Sequence, residues 1–151
     1  MELDTILGQI RDKGFDKVKV GGFDVDGVLR GKYISLDKFE SAAKTGFGFC
    51  DVIFGWDCAD ELYENVGVTV TGWHTGYPDT HSVIDLKSHR QIPWEGDCPL
   101  FLVDFQAPDG SPLAVSPRQA CQRVFAKAQS MGFLPKLSAE YEFWLFRETP
   151  E

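Results

Sequence analysis

The sequence predicts an α+β fold, and three observations predict it. An apolar pattern with helical spacing opens the chain. It is followed by a hairpin signal rather than by a strand–helix–strand crossover, and a second helical pattern and further strand-like runs come after it. Helices and hairpins mixed in this order argue for α+β and against a doubly wound parallel sheet.

Taken in order, Leu3, Ile6, Leu7 and Ile10 fall at i, i+3, i+4 and i+7, one face of a helix, and Gly14 is placed to end it. Residues 17–26 read as a strand in which Val18 and Val20 alternate with lysines. Asp26-Gly27 is a turn dipeptide, and residues 28–34 return as the second strand of a hairpin. Residues 36–44 are helical, with Phe39, Ala42 and Ala43 on one side and Gly46 closing the helix. Residues 47–58 are apolar and aromatic, interrupted by glycines, and residues 59–81, rich in Gly, Thr and Asp, read mostly as loop. A short strand is expected at 83–86 and a stronger one at 100–105, followed by a turn at 107–110. Ser116-Pro117 reads as a helix start, a serine N-cap with proline at the first helical position. Ala120, Val124, Ala128 and Met131 are expected on that helix's buried face. Gly132 ends it, and an aromatic strand is expected at 137–146.

Composition narrows the function. Over 151 residues, 43 % hydrophobic and 25 % charged content suits a packed core. A net charge of −8 leaves no basic stripe to neutralise phosphates, so nucleic acid is not an expected partner. No apolar run approaches the roughly 18 residues that span a bilayer, so no membrane association is expected. The acidic start, Met1-Glu2-Leu3-Asp4, lacks an apolar signal core, and a cytoplasmic location with reduced thiols is the expectation. Cys50, Cys58, Cys98 and Cys121 form no C-x-x-C pair. His74, His81 and His89 lie in one loop-like stretch, at spacings that match no metal motif, and read as exposed or hydrogen-bonded loop histidines.

The segment Ala139-Glu140-Tyr141-Glu142-Phe143-Trp144-Leu145-Phe146 puts two carboxylates into an aromatic strand. Side chains at i and i+2 of a strand share a face, so Glu140 and Glu142 would project side by side, with Tyr141, Phe143 and Leu145 opposite. Parallel carboxylates repel unless a cation lies between them, and Mg²⁺ or Mn²⁺ prefers such oxygen ligands. A solvent-facing sheet edge accounts for the same two residues.

A second motif points elsewhere. Phe23-Asp24-Val25-Asp26-Gly27-Val28-Leu29 matches the D-x-D-G-[TV] signature of haloacid dehalogenase-like phosphatases, in which two aspartates and Mg²⁺ act on one phosphoryl group. That fold requires a parallel crossover after the motif. Here Leu29-Arg30-Gly31-Lys32-Tyr33-Ile34 looks like a returning hairpin strand, and a hairpin turn accounts for the same residues.

Taken together, the segments resemble the glutamine synthetase family. Asp24-Val25-Asp26-Gly27-Val28-Leu29-Arg30-Gly31-Lys32-Tyr33-Ile34 fits its D-x-x-G-x-x-R-G-K hairpin. Pro78-Asp79-Thr80-His81-Ser82-Val83-Ile84-Asp85, followed by Arg90-Gln91-Ile92-Pro93-Trp94, looks like a later stretch. Pro117-Arg118 and Glu140-Tyr141-Glu142-Phe143-Trp144-Leu145-Phe146 fit the P-R helix opening and the E-x-E-F-x-L-F strand.

The resemblance implies a β-grasp domain over residues 1–110 and, over 111–151, the first helix and strand of an incomplete catalytic domain. It implies an ATP-dependent ligase that phosphorylates the side-chain carboxylate of glutamate and lets ammonia or another amine displace phosphate. Glu140 and Glu142 would each bind one of two Mg²⁺ or Mn²⁺ ions. An aspartate in the loop Phe54-Gly55-Trp56-Asp57-Cys58, with Asp57 chosen and Asp60 next, would bind and deprotonate the amine at a neighbouring subunit's site in a homo-oligomer. This loop departs from the D-G-S-S wording of typical bacterial members, which leaves the amine open, and a loop-capping aspartate accounts for Asp57 equally well. The other metal ligands, the ATP pocket and the glutamate-binding arginines would lie beyond residue 151, so the chain alone is expected to be inactive. A stand-alone β-grasp assembly or binding module, without catalysis, is the alternative of another class.

Overall fold

The computed structural model describes residues 2–64, 67 and 69–149. Its centre is a five-stranded sheet in the order β2-β1-β5-β4-β3, built from β1 (Lys17–Phe23), β2 (Leu29–Ser35), β3 (Phe47–Cys50), β4 (Asp79–Ile92) and β5 (Cys98–Gln106). The central pair β1 and β5 is parallel, and every other neighbouring pair is antiparallel. Helices α1 (Leu3–Asp12) and α2 (Leu36–Thr45) turn their apolar stripes onto the sheet. The mixed α+β architecture is therefore the expected one.

The N-terminal half follows its sequence signals closely. Ile6, Leu7 and Ile10 are buried on α1, and Gly14 behind it takes the left-handed conformation at φ 77°. Ser35 caps α2 by accepting a hydrogen bond from the Lys38 amide at 3.3 Å, and Gly46 closes the helix at φ 72°. In the β1–β2 hairpin Val20 pairs with Lys32 and Phe23 with Leu29. The core centres on Phe101 and Phe105 of β5. Phe39 of α2 lies 4.6 Å from Phe101 between ring centres, and Phe49 and Phe54 meet Phe105 edge-on at 5.8 and 5.1 Å. Lys32 on one edge strand reaches within 5.1 and 5.0 Å of the rings of Phe47 and Phe49 on the other, so the sheet is strongly curled.

The short strand expected at 83–86 is part of a much longer one. β4 runs from Asp79 to Ile92 because its start pairs with β3 and most of its length with β5. Its register shifts between Asp85 and Arg90, and Ser88 repairs the break. The Ser88 hydroxyl donates to the Asp85 carbonyl at 2.5 Å and accepts from the Leu102 amide at 2.7 Å. His81 and His89 consequently lie on a strand, not in the expected loop. His89 stacks parallel on Phe101 at 4.8 Å, and burial, aided by Lys13 and Arg90, pushes its pKa down. Within the expected loop at 59–81, residues 65, 66 and 68 lie outside the described residues.

Three expectations from residue 116 onward are corrected. Helix α3 (Pro117–Ser130) begins where expected, but the Ser116 side chain makes no capping bond. Its apolar stripe is not buried either, since Val124 is 69 % and Met131 61 % exposed and the helix's one buried residue is Gln119. The strand expected at 137–146 does not form: that stretch has no regular secondary structure, and Tyr141, Phe143, Trp144, Leu145 and Phe146 are all exposed. The physical cause is the same for the exposed stripe and the missing strand. A strand needs a neighbour to take its N–H and C=O groups, and an amphipathic helix needs a surface to cover its apolar stripe. Among the described residues neither finds one.

Candidate functional site

The β1–β2 turn is organised by one carboxylate. Asp24 is fully buried, and its Oδ1 accepts from the Asp26 amide at 3.0 Å and the Val28 amide at 2.8 Å. Its Oδ2 accepts from Arg30 Nε at 2.7 Å. Gly27, at φ 81°, donates its amide to the Asp24 carbonyl at 3.1 Å, which closes the turn. Both oxygens of Asp24 are thus engaged in shaping a hairpin. A phosphatase nucleophile needs a free oxygen at a strand end, so the hairpin explanation of this motif fits the geometry.

Arg30 carries the hairpin's influence outward. Besides Asp24, its guanidinium donates to the Asp57 carbonyl at 3.0 Å and to the Asp60 carboxylate, and it lies 4.9 Å from the Trp56 ring centre. The loop it holds leaves a 3₁₀ turn (Asp51–Phe54) and closes on itself: Trp56 bridges to Leu62, and the Tyr63 amide donates to the Gly55 carbonyl at 2.8 Å. Beneath it, buried Thr71 donates its hydroxyl to Asp51 at 2.7 Å. Burial pushes the Asp51 pKa up, although the Thr71 bond opposes this. Burial, with Asp26, Asp57 and Asp24 close by, also raises the pKa of the Tyr63 hydroxyl.

Asp57 lies at the turn of this loop. Its Oδ1 accepts from the Ala59 amide at 2.8 Å and the Glu61 amide at 3.0 Å, so Asp57 caps the loop. Its Oδ2 has no hydrogen-bond partner among the described residues, so one oxygen remains free to meet a cation. Asp60 sits in the left-handed region at φ 66°, with its carboxylate turned to Arg30.

At the same end of the sheet, on β5 and β4, Arg118 ties down α3, none of whose residues joins the buried apolar core. It donates to Asp104 Oδ1 and Asp85 Oδ2, both at 2.6 Å, and so bridges the neighbouring strands β5 and β4. Glu140 and Glu142 lie beyond this helix in the exposed, irregular stretch, far along the chain from the Asp57 loop. Their oxygen chemistry fits a hard divalent cation, but such an ion takes about six to eight oxygens and two carboxylates supply few of them. Among the described residues no three or more His, Cys, Asp or Glu side chains converge as a metal cluster. No described helix is long and apolar enough to cross a membrane. Sequence reasoning singled out Asp57 and the acid pair but missed Arg30 as the link between hairpin and loop. The available signal was the spacing of Asp24, Gly27 and Arg30, which sets a buried acid opposite a guanidinium across a tight turn.

The chain is 48 % identical over 145 residues, 96 % of its length, to type-1 glutamine synthetase 2 of Dictyostelium discoideum. It belongs to the glutamine synthetase family. It is also 35 % identical over 141 residues to glutamate–isopropylamine ligase of Pseudomonas sp. The chain spans 27 % and 30 % of the lengths of these two family members. Among solved structures it resembles a GmaS/ADP complex, with a TM-score of 0.61 at 23 % identity, covering 83 % of this chain and 25 % of that one. A crystal structure of a novel glutamine synthase homolog gives a TM-score of 0.61 at 18 % identity, covering 76 % of this chain and 27 % of that one. These structures share the fold. No protein-family model matches the chain.

Proposed function

We propose that this chain is part of an ATP-dependent ligase that joins the γ-carboxylate of glutamate to ammonia or another amine. The observation that carries this reading is the identity, across nearly the whole chain, to family members named as glutamine synthetase and as a glutamate–amine ligase. A third such relative, gamma-glutamylethanolamide synthetase GlnA4 of Streptomyces coelicolor, is 27 % identical over 137 residues. The amine differs among these names while the glutamyl half is shared, so the amine of this protein stays open.

In this reading residues 1–110 form a β-grasp domain and residues 111–151 begin the catalytic domain. The glutamate γ-carboxylate oxygen attacks the terminal phosphorus of ATP and ADP leaves. A carboxylate first takes a proton from the cationic amine; the freed nitrogen lone pair then attacks the acyl carbon of γ-glutamyl phosphate, phosphate leaves, and the proton lost as the amide forms goes with the phosphate. Asp57 is that carboxylate: its capped Oδ1 fixes the side chain and leaves Oδ2 to bind the cationic amine and take its proton. Glu140 and Glu142 would supply part of the oxygen ligands for divalent ions, Mg²⁺ or Mn²⁺, whose chemistry would be to offset negative charge on the transferring phosphoryl group. Two carboxylates alone cannot position ATP, so the 151-residue chain by itself is inactive and works in a larger homo-oligomeric protein. The exposed apolar side chains from Phe133 to Phe146 favour a second role, assembly with a partner surface.

The test is a product assay on the complete protein that contains this chain. ADP and phosphate should appear only with glutamate and an amine together, and should not appear from a phosphomonoester. Release of phosphate from the monoester alone would overturn the reading.

A further inference from the structure

We propose that Arg30 is the positioning residue of the Asp57 loop, setting where the free oxygen of Asp57 stands toward the incoming amine. This rests on the assignment of Asp57 to the amine site.

Arg30 is unusually well fixed for a side chain that reaches a loop. Its base is anchored by the pair with Asp24, which is fully buried and itself held by two backbone amides of the hairpin. The direction of the guanidinium is therefore set by β1 and β2, the most regular pairing in the sheet. From that fixed base three separate grips reach the loop: the carbonyl of Asp57 itself, the carboxylate of Asp60, and the face of Trp56. They bracket Asp57 on both sides in sequence. Only a planar fork with several donors can make them at once; a lysine ammonium could keep the charge pair with Asp24 but not the stack and the two divergent bonds.

The loop's own bonds do not replace this clamp. The Ala59 and Glu61 amides fix Asp57 Oδ1 within the turn, but they move with the turn. Its orientation relative to the sheet is given by Arg30, helped by the Thr71–Asp51 bond under Gly55. A turn free to rotate about its base displaces Oδ2 by an ångström or more, enough to weaken amine capture while ATP and glutamate binding stay as they were.

The test compares Arg30→Lys, Asp60→Asn and Asp57→Ala in the complete protein. Asp60→Asn releases only the exposed end of the clamp. It keeps a residue type that tolerates the left-handed backbone, and it leaves the Arg30–Asp24 pair intact, so it should fold. Amine KM should rise about tenfold in Arg30→Lys and about threefold in Asp60→Asn, with ATP KM within about twofold of wild type. Hydrogen exchange at the Ala59 and Glu61 amides should speed up in both. A raised amine KM in Asp57→Ala with none in the other two variants overturns the clamp and leaves the Asp57 assignment standing. If no variant moves amine KM, the Asp57 assignment falls and the positioning role falls with it.

Discussion

Replacing Asp24 should reveal how much of the hairpin hangs on one carboxylate. Asp24→Ala removes the acceptor of three hydrogen bonds, two from backbone amides at 3.0 and 2.8 Å and one from Arg30 at 2.7 Å. The site is fully buried on the Asp24 side, and the Arg30 side chain is 17 % exposed. Removing one partner of such a buried pair leaves an uncompensated charge and typically costs about 3–5 kcal/mol. The two amides need not add their full penalty, because the turn at Asp26-Gly27 is exposed and water can reach them. Asp24→Asn keeps an acceptor for the amides but sets an amide NH₂ or an uncharged oxygen against the guanidinium. A loss of about 1.5–3 kcal/mol is expected there, the range for hydrogen bonds to charged groups. Urea denaturation followed by tryptophan fluorescence measures both. With a slope of about 1.5 kcal/mol per molar urea, the alanine variant's midpoint should fall by about 2–3 M. If both variants lose less than about 1 kcal/mol, the carboxylate is not what holds the hairpin, and the clamp built on it through Arg30 loses its base.

Three further outcomes follow from the geometry. A Cβ at Gly22 would stand 2.6 Å from ring atoms of Phe105, which is buried among Phe49 and Phe54 and has no room to move, so Gly22→Ala should cost about 1–3 kcal/mol in the same denaturation measurement. The lowered pKa of His89 means that the unfolded chain binds a proton more readily than the folded one. Its contribution is complete above the ordinary imidazole value of about 6.5 and is lost as pH falls toward the lower folded value, so wild type should lose stability on acidification through that window and His89→Phe should lose less. Arg118→Ala removes both ion pairs that hold α3, between side chains 20–24 % exposed, and should loosen α3 by about 1–3 kcal/mol, seen as faster amide exchange across that helix while β1 and β5 stay protected.

The sequence by itself determined the elements whose signals are local. The apolar spacing of α1, the Gly46 stop of α2, and the Asp26-Gly27 turn each depend on residues within a few positions of one another, and each stands as expected. The ordered motifs likewise identified the family, because residue order and spacing survive without coordinates. Tertiary structure alone decided the full length of β4, since two different partner strands extend it, and the seat of His89 on Phe101. It also decided that the apolar stripe of α3 and the aromatic stretch around Glu140 and Glu142 stay exposed, because periodicity states which face wants cover and not whether a surface is there to provide it. The link from Asp24 through Arg30 to Asp57 and Asp60 joins positions up to 36 residues apart, and no periodic pattern encodes a side chain reaching from a hairpin to a loop.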